Sequence, residues 1–431
     1  VSASYVREVA TTDRPVEPRF GYTVAASALH DRAAVDAVTA DARELLTELG
    51  GSQHSPPGPH VFLVGTGGTE RLVLDAVAQR HLDHPGEPVI LVAHPGHNSL
   101  PAALETLAAV HQAGERGRIV FLTGDVGVDR MALDEAVGDL EAWHRLQTTR
   151  LGIVGGASSW LVASEPTAET VRRRWGPEVI TIDPTPMIEL TRTPVVPTGP
   201  LAERFTAVAD PVVVADRDVH DAAAVRSALV DVLDEEGVDA VTVRCFDLLT
   251  DPGTSGCLAL ASLNDDGIVA GCEGDVPSAL AMLWARHLLD AASWMANPSR
   301  VDAATNRLVL AHCTVAPSMV ESYGLSTHFE SGAGVGIGGR FAVQPVTLIR
   351  LGGADLDRCW IAEGDIVATG DDPDLCRTQV TIELSDGSVD DLLERPLGNH
   401  LVLVAGHHAA RLRRWWHLVV APAAPAVVAG Q

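Results

Sequence analysis

Lysine is missing from this chain: all 31 basic residues among its 431 are arginines. The absence removes a Schiff-base lysine, a lysine-anchored phosphate loop and a lysine general base from the available chemistry. Aromatic residues are scarce at 4%, and cysteine is limited to six, at positions 245, 257, 272, 313, 359 and 376. None of the six stands in a CxxC spacing, and they read as reduced cytosolic thiols. No HExxH, GxSxG or catalytic Cys/His signature occurs. No apolar run reaches membrane-spanning length, and the start Val1-Ser2-Ala3-Ser4-Tyr5-Val6-Arg7 lacks the apolar core of a secretory signal. The expectation is a soluble, cytoplasmic protein with no membrane partner.

Acid is what the chain has in excess. Its formal charge is -26, and the acidic residues are spread along its length beside 46% hydrophobic residues. Nucleic acid is excluded as a partner, because binding phosphates needs a basic surface. A strongly hydrated acidic surface fits a cytoplasm of high salt, as in a halophile; a lysine-poor, GC-rich bacterial origin is the alternative.

At this length two or three domains are expected. Short apolar runs at 22–29, 61–65, 89–93, 119–122 and 151–154 alternate with helical stretches at 32–49, 70–79 and 100–113, which predicts a parallel sheet. A second α/β unit starts near Pro166, with strands at 179–182, 241–244 and 268–271, a helix at 222–235 and a proline-rich loop at 184–200. From Arg307 onward, strand candidates at 308–311, 346–351, 359–362, 379–384 and 401–405 follow one another without helices, ahead of a short helix at 409–416 and an Ala/Pro tail. The fold class is therefore α/β: two Rossmann-like parallel-sheet domains, residues 1–164 and 165–306, followed by an antiparallel β-rich, barrel-like domain at 307–431.

Reactive residue types bunch in the C-terminal half. Gly271-Cys272-Glu273-Gly274-Asp275 places two carboxylates at a helix mouth, with Asp275 as cap and Pro277 in the first turn. Glu273 lies at the carboxyl end of a strand, where open α/β sheets bind ligands and where a helix N-terminus favours an ionised carboxylate. Gly398-Asn399-His400 sets an imidazole at the start of a buried strand. A carboxylate and an imidazole converging from distant segments suit a divalent metal. Between them lie Ala311-His312-Cys313-Thr314, Thr327-His328-Phe329-Glu330-Ser331-Gly332 and Cys376-Arg377-Thr378-Gln379. Cys272, His312, Cys313 and His328 could instead form a zinc site, at irregular spacing. His407 and His408 read as surface or helix-start residues.

Two glycine clusters invite a nucleotide reading. Gly334-Val335-Gly336-Ile337-Gly338-Gly339 matches GxGxxG but joins no strand to a helix, so dinucleotide binding is not expected there. Gly65-Thr66-Gly67-Gly68-Thr69-Glu70 does, and with His94-Pro95-Gly96-His97-Asn98-Ser99 it puts two polar loops on one sheet edge; tight turns are the plain alternative.

The chain resembles the L-fucose isomerase and L-arabinose isomerase-like family. The resemblance is carried by Cys245-Phe246-Asp247, Gly271–Asp275, Met295-Ala296-Asn297-Pro298, Gly398-Asn399-His400 and Trp160-Leu161-Val162-Ala163-Ser164. It implies a metal-dependent aldose–ketose isomerase acting on a sugar through an enediolate. The implied cation is Mn²⁺ or another divalent ion, held by Glu273, Asn297 and His400. Asn297 departs from the family, which has an acidic residue there, so a proton-transfer role passes to Glu273 or to Asp275. His328, ahead of Gly336-Ile337-Gly338-Gly339, resembles a family histidine; His312 and His328 would hold sugar hydroxyls. Gly67, Thr69 and Asn98 would do so from a neighbouring subunit, which implies a homo-oligomer, trimer or hexamer. A different metal-dependent enzyme on a polyol or keto substrate, and a sugar-binding protein that kept the fold, are the alternatives.

Overall fold

A computed structural model describes residues 18–53 and 58–421. The segment Val1–Arg7 and the Ala/Pro tail lie outside the described residues. By its internal contacts the chain divides into two compact units, Val1–Leu140 and Glu141–Gln431.

In the first unit five parallel strands run in the order Gly51–Ser52, Phe20–Ala25, His60–Val64, Val89–Ala93, Gly117–Phe121. The strands His60–Val64 and Val89–Ala93 are buried along their whole length, as uninterrupted β-branched runs in a parallel sheet must be. The helices Glu70–Asp83 and Ser99–Gln112 pack Val73, Val77, Ala102, Ala103 and Val110 against this core.

The second unit holds a four-stranded parallel sheet and a closed antiparallel barrel. The sheet order is Glu178–Ile182, Arg150–Val154, Ala240–Val243, Ala270–Cys272. Residues 151–154, expected to end the first sheet, lie inside the second one instead. Alternation of strands and helices gives their order along the chain but not the sheet each strand joins. The expected loop at 184–200 is another correction: Pro184–Arg192 and Gly199–Thr206 are helices. Asp183 caps the first, accepting from the Thr185 N–H at 2.9 Å, and Pro184 takes the first-turn position where a missing N–H costs nothing.

The barrel order is Ser293–Asp302, Arg307–His312, Thr378–Asp386, Arg358–Thr369, Pro345–Gly352, Leu401–Ala405, and the last strand pairs back to the first. Its interior is aliphatic, with Leu310, Leu348, Val380, Ile382 and Leu403 fully buried. The strand Ser293–Asp302 went unread in the sequence because Asn297-Pro298-Ser299-Arg300 interrupts its apolar pattern; the register shifts between Pro298 and Arg300. The helix Val276–Leu289 packs along barrel strands Pro345–Gly352 and Leu401–Ala405. Trp175, Trp284, Trp415 and Trp416 cluster with ring centroids 5.4–6.3 Å apart, fixing the final helix Ala409–Val419. Such ring pairs contribute about 1 kcal/mol each beyond the area they bury.

Candidate metal centre

The second sheet delivers Glu273 and the barrel delivers two histidines. Glu273 follows the strand Ala270–Cys272 with φ at 62°, a left-handed conformation that costs a side-chain-bearing residue about 1 kcal/mol or more. Neighbouring backbone holds it there. The Ser158 N–H donates to the Glu273 carbonyl at 2.8 Å, and a Cβ on Gly274 would stand 2.2 Å from the Gly156 oxygen, so only glycine fits after Glu273. The Trp160 indole N–H donates to Glu273 Oε2 at 2.6 Å.

His400 immediately precedes the strand Leu401–Ala405, which is hydrogen-bonded on both sides within the barrel. Its Nδ1 lies 2.8 Å from Asp275 Oδ2. A carboxylate only accepts, so Nδ1 carries the hydrogen and Nε2 is left as the atom available to a ligand. His400 Nε2 is 3.4 Å from Glu273 Oε1 and is a buried polar atom without a hydrogen-bond partner. In the metal-free protein a proton on Nε2 faces the Glu273 carboxylate, and a cation bound there would displace it.

His312 completes the group. It ends the strand Arg307–His312, its Nδ1 is taken by Thr314 Oγ1 at 2.9 Å, and its ring stands 5.6 Å from that of His400 at 76°. One donor atom from each of Glu273, His312 and His400 can be chosen so that all lie within 4.8 Å of one another, and all three residues are buried. One carboxylate and two imidazoles, with the remaining positions open, form a donor set for a first-row divalent cation.

The electrostatics agree with that reading. Burial works against charge on His400, but the hydrogen bond it donates to Asp275, its contact with Glu273 and the charges of both carboxylates outweigh it and push its pKa up to about 9. Burial, helped by the charge of His400, lowers His312 to about 4. Burial also opposes ionisation of Glu273, yet its contacts with His400, His312 and Trp160 hold the carboxyl below its ordinary value. The site therefore attracts positive charge in an apolar enclosure, as a cation site must.

The sequence reading assembled part of this group. Glu273 and His400 meet as expected. Asn297, expected as a third ligand, accepts from Asn399 Nδ2 at 3.3 Å and pairs in register with Ala311, next to His312. His312, expected to hold a sugar hydroxyl, is instead part of the cluster. Asp275, a candidate for proton transfer, is fully buried with both oxygens engaged: Oδ1 accepts from the Ser278 N–H at 2.8 Å, and Oδ2 from His400 and from Arg350 at 3.0 Å. It is hydrogen-bonded to His400 from behind the cluster. His328 stays outside the cluster, bonded to Ser331 Oγ at 3.0 Å and set edge-on to Phe246, whose ring meets Trp160 at 4.9 Å. The zinc alternative is not assembled: the cluster found among the described residues contains no thiol.

Arg350 went unnoticed in the sequence. It is 1% exposed and binds Asp275, Ser278 Oγ at 2.8 Å, Ser164 Oγ at 2.5 Å and the Leu397 carbonyl at 3.3 Å. The signal available was a charge inside the apolar strand run 346–351. In the first unit Thr69 is fully buried with its hydroxyl on the Thr66 carbonyl at 2.7 Å, and the Gly67 N–H bonds the His97 carbonyl at 2.7 Å. Asn98 is exposed, in the left-handed region at φ 58°, beside a cleft lined by His30, Gly67, His97 and Pro101.

No family model matches the chain. It is similar to the sulfoquinovose isomerase of Clostridium sp. (strain MSTE9), 34% identical over 109 residues that cover 25% of this chain and 23% of that protein. The sulfoquinovose isomerase of Alkalicoccus urumqiensis is 25% identical over 202 residues, 45% of each chain. That of Priestia megaterium is 30% identical over 83 residues, 19% of each. The chain thus spans less than half the length of these curated relatives. The similarity is a distant one to sugar isomerases named sulfoquinovose isomerase, and not specifically to the fucose and arabinose isomerases read in the sequence.

Proposed function

We propose that this protein is a divalent-metal-dependent aldose–ketose isomerase whose centre is Glu273, His312 and His400. The observation that carries the reading is the convergence of buried donor atoms from Glu273, His312 and His400, with the Nδ1 side of His400 taken by Asp275. A cation held there, Mn²⁺ or another first-row divalent ion, would supply positive charge to the sugar oxygens as the C2 proton leaves.

The chain's own residues do the rest. Glu273, ionised, buried and hydrogen-bonded by the Trp160 indole, takes the proton from C2 and returns it at C1. Asp275 and Arg350 keep the His400 ring in position. Asn297 and His328 hold sugar hydroxyls. The sugar is of the kind the relatives' name describes, or a neutral fucose- or arabinose-type aldose. Asn98 and Gly67 contribute from a second copy in a trimer or hexamer; Thr69 has no free hydroxyl to offer.

A second reading is a metal-dependent enzyme acting on a polyol or keto substrate, favoured by the uncharged Asn297 where an isomerase of the resembled family has an acid. The two separate on one assay: ketose formation from sulfoquinovose, L-fucose, L-arabinose and further aldoses, with Mn²⁺ in molar KCl beside a Glu273→Gln control. Turnover lost in the control supports the isomerase. Metal binding with no ketose from any aldose overturns it in favour of the second reading.

A further inference from the structure

Five of the six cysteines lie near the centre or on each other, and the isomerisation does not use them. Cys272 directly precedes Glu273, and Cys313 directly follows His312. Cys313 is within hydrogen-bonding reach of Cys257 and Cys376. The closest pair is Cys245 and Cys272, buried to 6% and 3% exposure, with their sulfur atoms 2.8 Å apart. That is inside the roughly 3.6 Å at which two non-bonded sulfurs pack and within about 1 Å of the disulfide bond length. The two side chains meet at the carboxyl ends of adjacent parallel strands, where Val243 is in register with Cys272.

We propose that Cys245 and Cys272 are an oxidation site, closing to a reversible disulfide that disables Glu273. A small uncharged peroxide is the oxidant. One thiol, as its thiolate, attacks a peroxide oxygen, giving a sulfenic acid and, after proton transfer, water; the second thiol attacks that sulfur and expels a second water. Two thiols and one hydrogen peroxide thus become one disulfide and two waters. Thiols this well buried react slowly, so access sets the rate and bulky oxidants are excluded.

The disulfide reaches the centre through the backbone. The Cys272 N–H faces Met295 Sδ at 3.1 Å, the Gly274 N–H donates to the Val243 carbonyl at 3.0 Å, and Glu273 between them is held at φ 62° with Gly274 against Gly156. A segment pinned on both sides has no slack to absorb the pull of a new bond. Glu273 shifts, and metal affinity drops by about tenfold or more, the range seen when groups around a metal ligand are disturbed.

The test treats the whole chain with hydrogen peroxide, alkylates the remaining thiols and maps peptides without reduction, with Mn²⁺ binding measured in parallel. The expected result is a Cys245–Cys272 linked peptide, an approximately tenfold weaker Mn²⁺ affinity, and full recovery on reduction. Cys245→Ala should bind Mn²⁺ as the unaltered protein does and resist the peroxide. A link between other cysteines, no link at all, or equal peroxide sensitivity of Cys245→Ala overturns the assignment. The linked peptide and the Mn²⁺ readout need no sugar turnover, so failure of the isomerase reading leaves this result decisive in its own right.

Discussion

Two parallel sheets in this chain each present polar loops at the carboxyl ends of their strands, and only one of them gathers a buried carboxylate and imidazoles. In the first unit the loops at 65–70 and 94–99 satisfy one another. His94 Nε2 meets the Gly65 carbonyl at 3.0 Å, Ser99 Oγ donates to the Val64 carbonyl at 2.5 Å, and Thr69 donates to Thr66. In the second, the loop 155–160 and the turn 272–275 hold an ionised carboxylate and face an imidazole nitrogen with no partner. The same sheet edge therefore yields structure in one case and a cation site in the other. The difference lies in the barrel, which brings in His312 and His400 as groups the loops cannot satisfy by themselves.

The contrast can be broken most severely at Glu273. Glu273→Gln should lower ketose formation by about a thousandfold, the middle of the range for removing a positioned acid–base group. A variant that keeps a tenth of its turnover would remove Glu273 from the chemistry. Asp275→Asn comes next. Its amide can donate to His400 Nδ1 and reverse the tautomer, so Mn²⁺ affinity should fall by about 10- to 100-fold in a titration, and unchanged affinity would deny Asp275 its orienting place. Arg350→Met leaves the Asp275 carboxylate buried without its cation, a loss on the order of 3–5 kcal/mol in chemical denaturation. A change below 1 kcal/mol would show that Asp275 does not depend on it.

The next effect is a matter of pH. His400 has its pKa raised to about 9 from the ordinary 6.5, so the proton on the metal-free protein adds stability that is complete below 6.5 and vanishes as pH rises through 9. The metal-free melting temperature should therefore fall across that window, while Mn²⁺ affinity climbs about tenfold per unit over the same range as the competing proton leaves. Flat profiles for both would mean His400 is neutral throughout. The smallest effect is expected in the first unit: Thr69→Val should cost about 1 kcal/mol through the lost hydroxyl bond and leave kcat and KM unchanged. A KM raised several-fold there would show that Thr69 itself handles substrate beside Asn98 and Gly67.

What could be read from the sequence follows the range of each interaction. Glu273 and the cap at Asp275 were legible because both depend on neighbours within four residues, a strand end followed by Gly274 and Pro277. His400 was legible as the opening of an apolar strand. The ring it faces, the tautomer it holds and the ion pair behind it were not, because Asp275, Arg350 and His400 are separated by 50 to 125 residues and meet only when the barrel closes. Asn297 drew attention through the family resemblance, whereas His312, which register places beside it, joins the cluster. The fold class held for a related reason: alternation reports layers reliably, but it does not tell which sheet residues 151–154 enter.

The tryptophans divide the molecule's optical behaviour. Four indoles, Trp175, Trp284, Trp415 and Trp416, lie close enough for their excited states to couple, so near-ultraviolet dichroism should weaken when the last helix undocks and only the Trp175–Trp284 pair remains. Trp160 stands outside that group, half exposed and hydrogen-bonded to the carboxylate that meets the cation. Its emission is a separate channel. One spectrum thus records both the closing of the fold and the filling of its centre, without a label added.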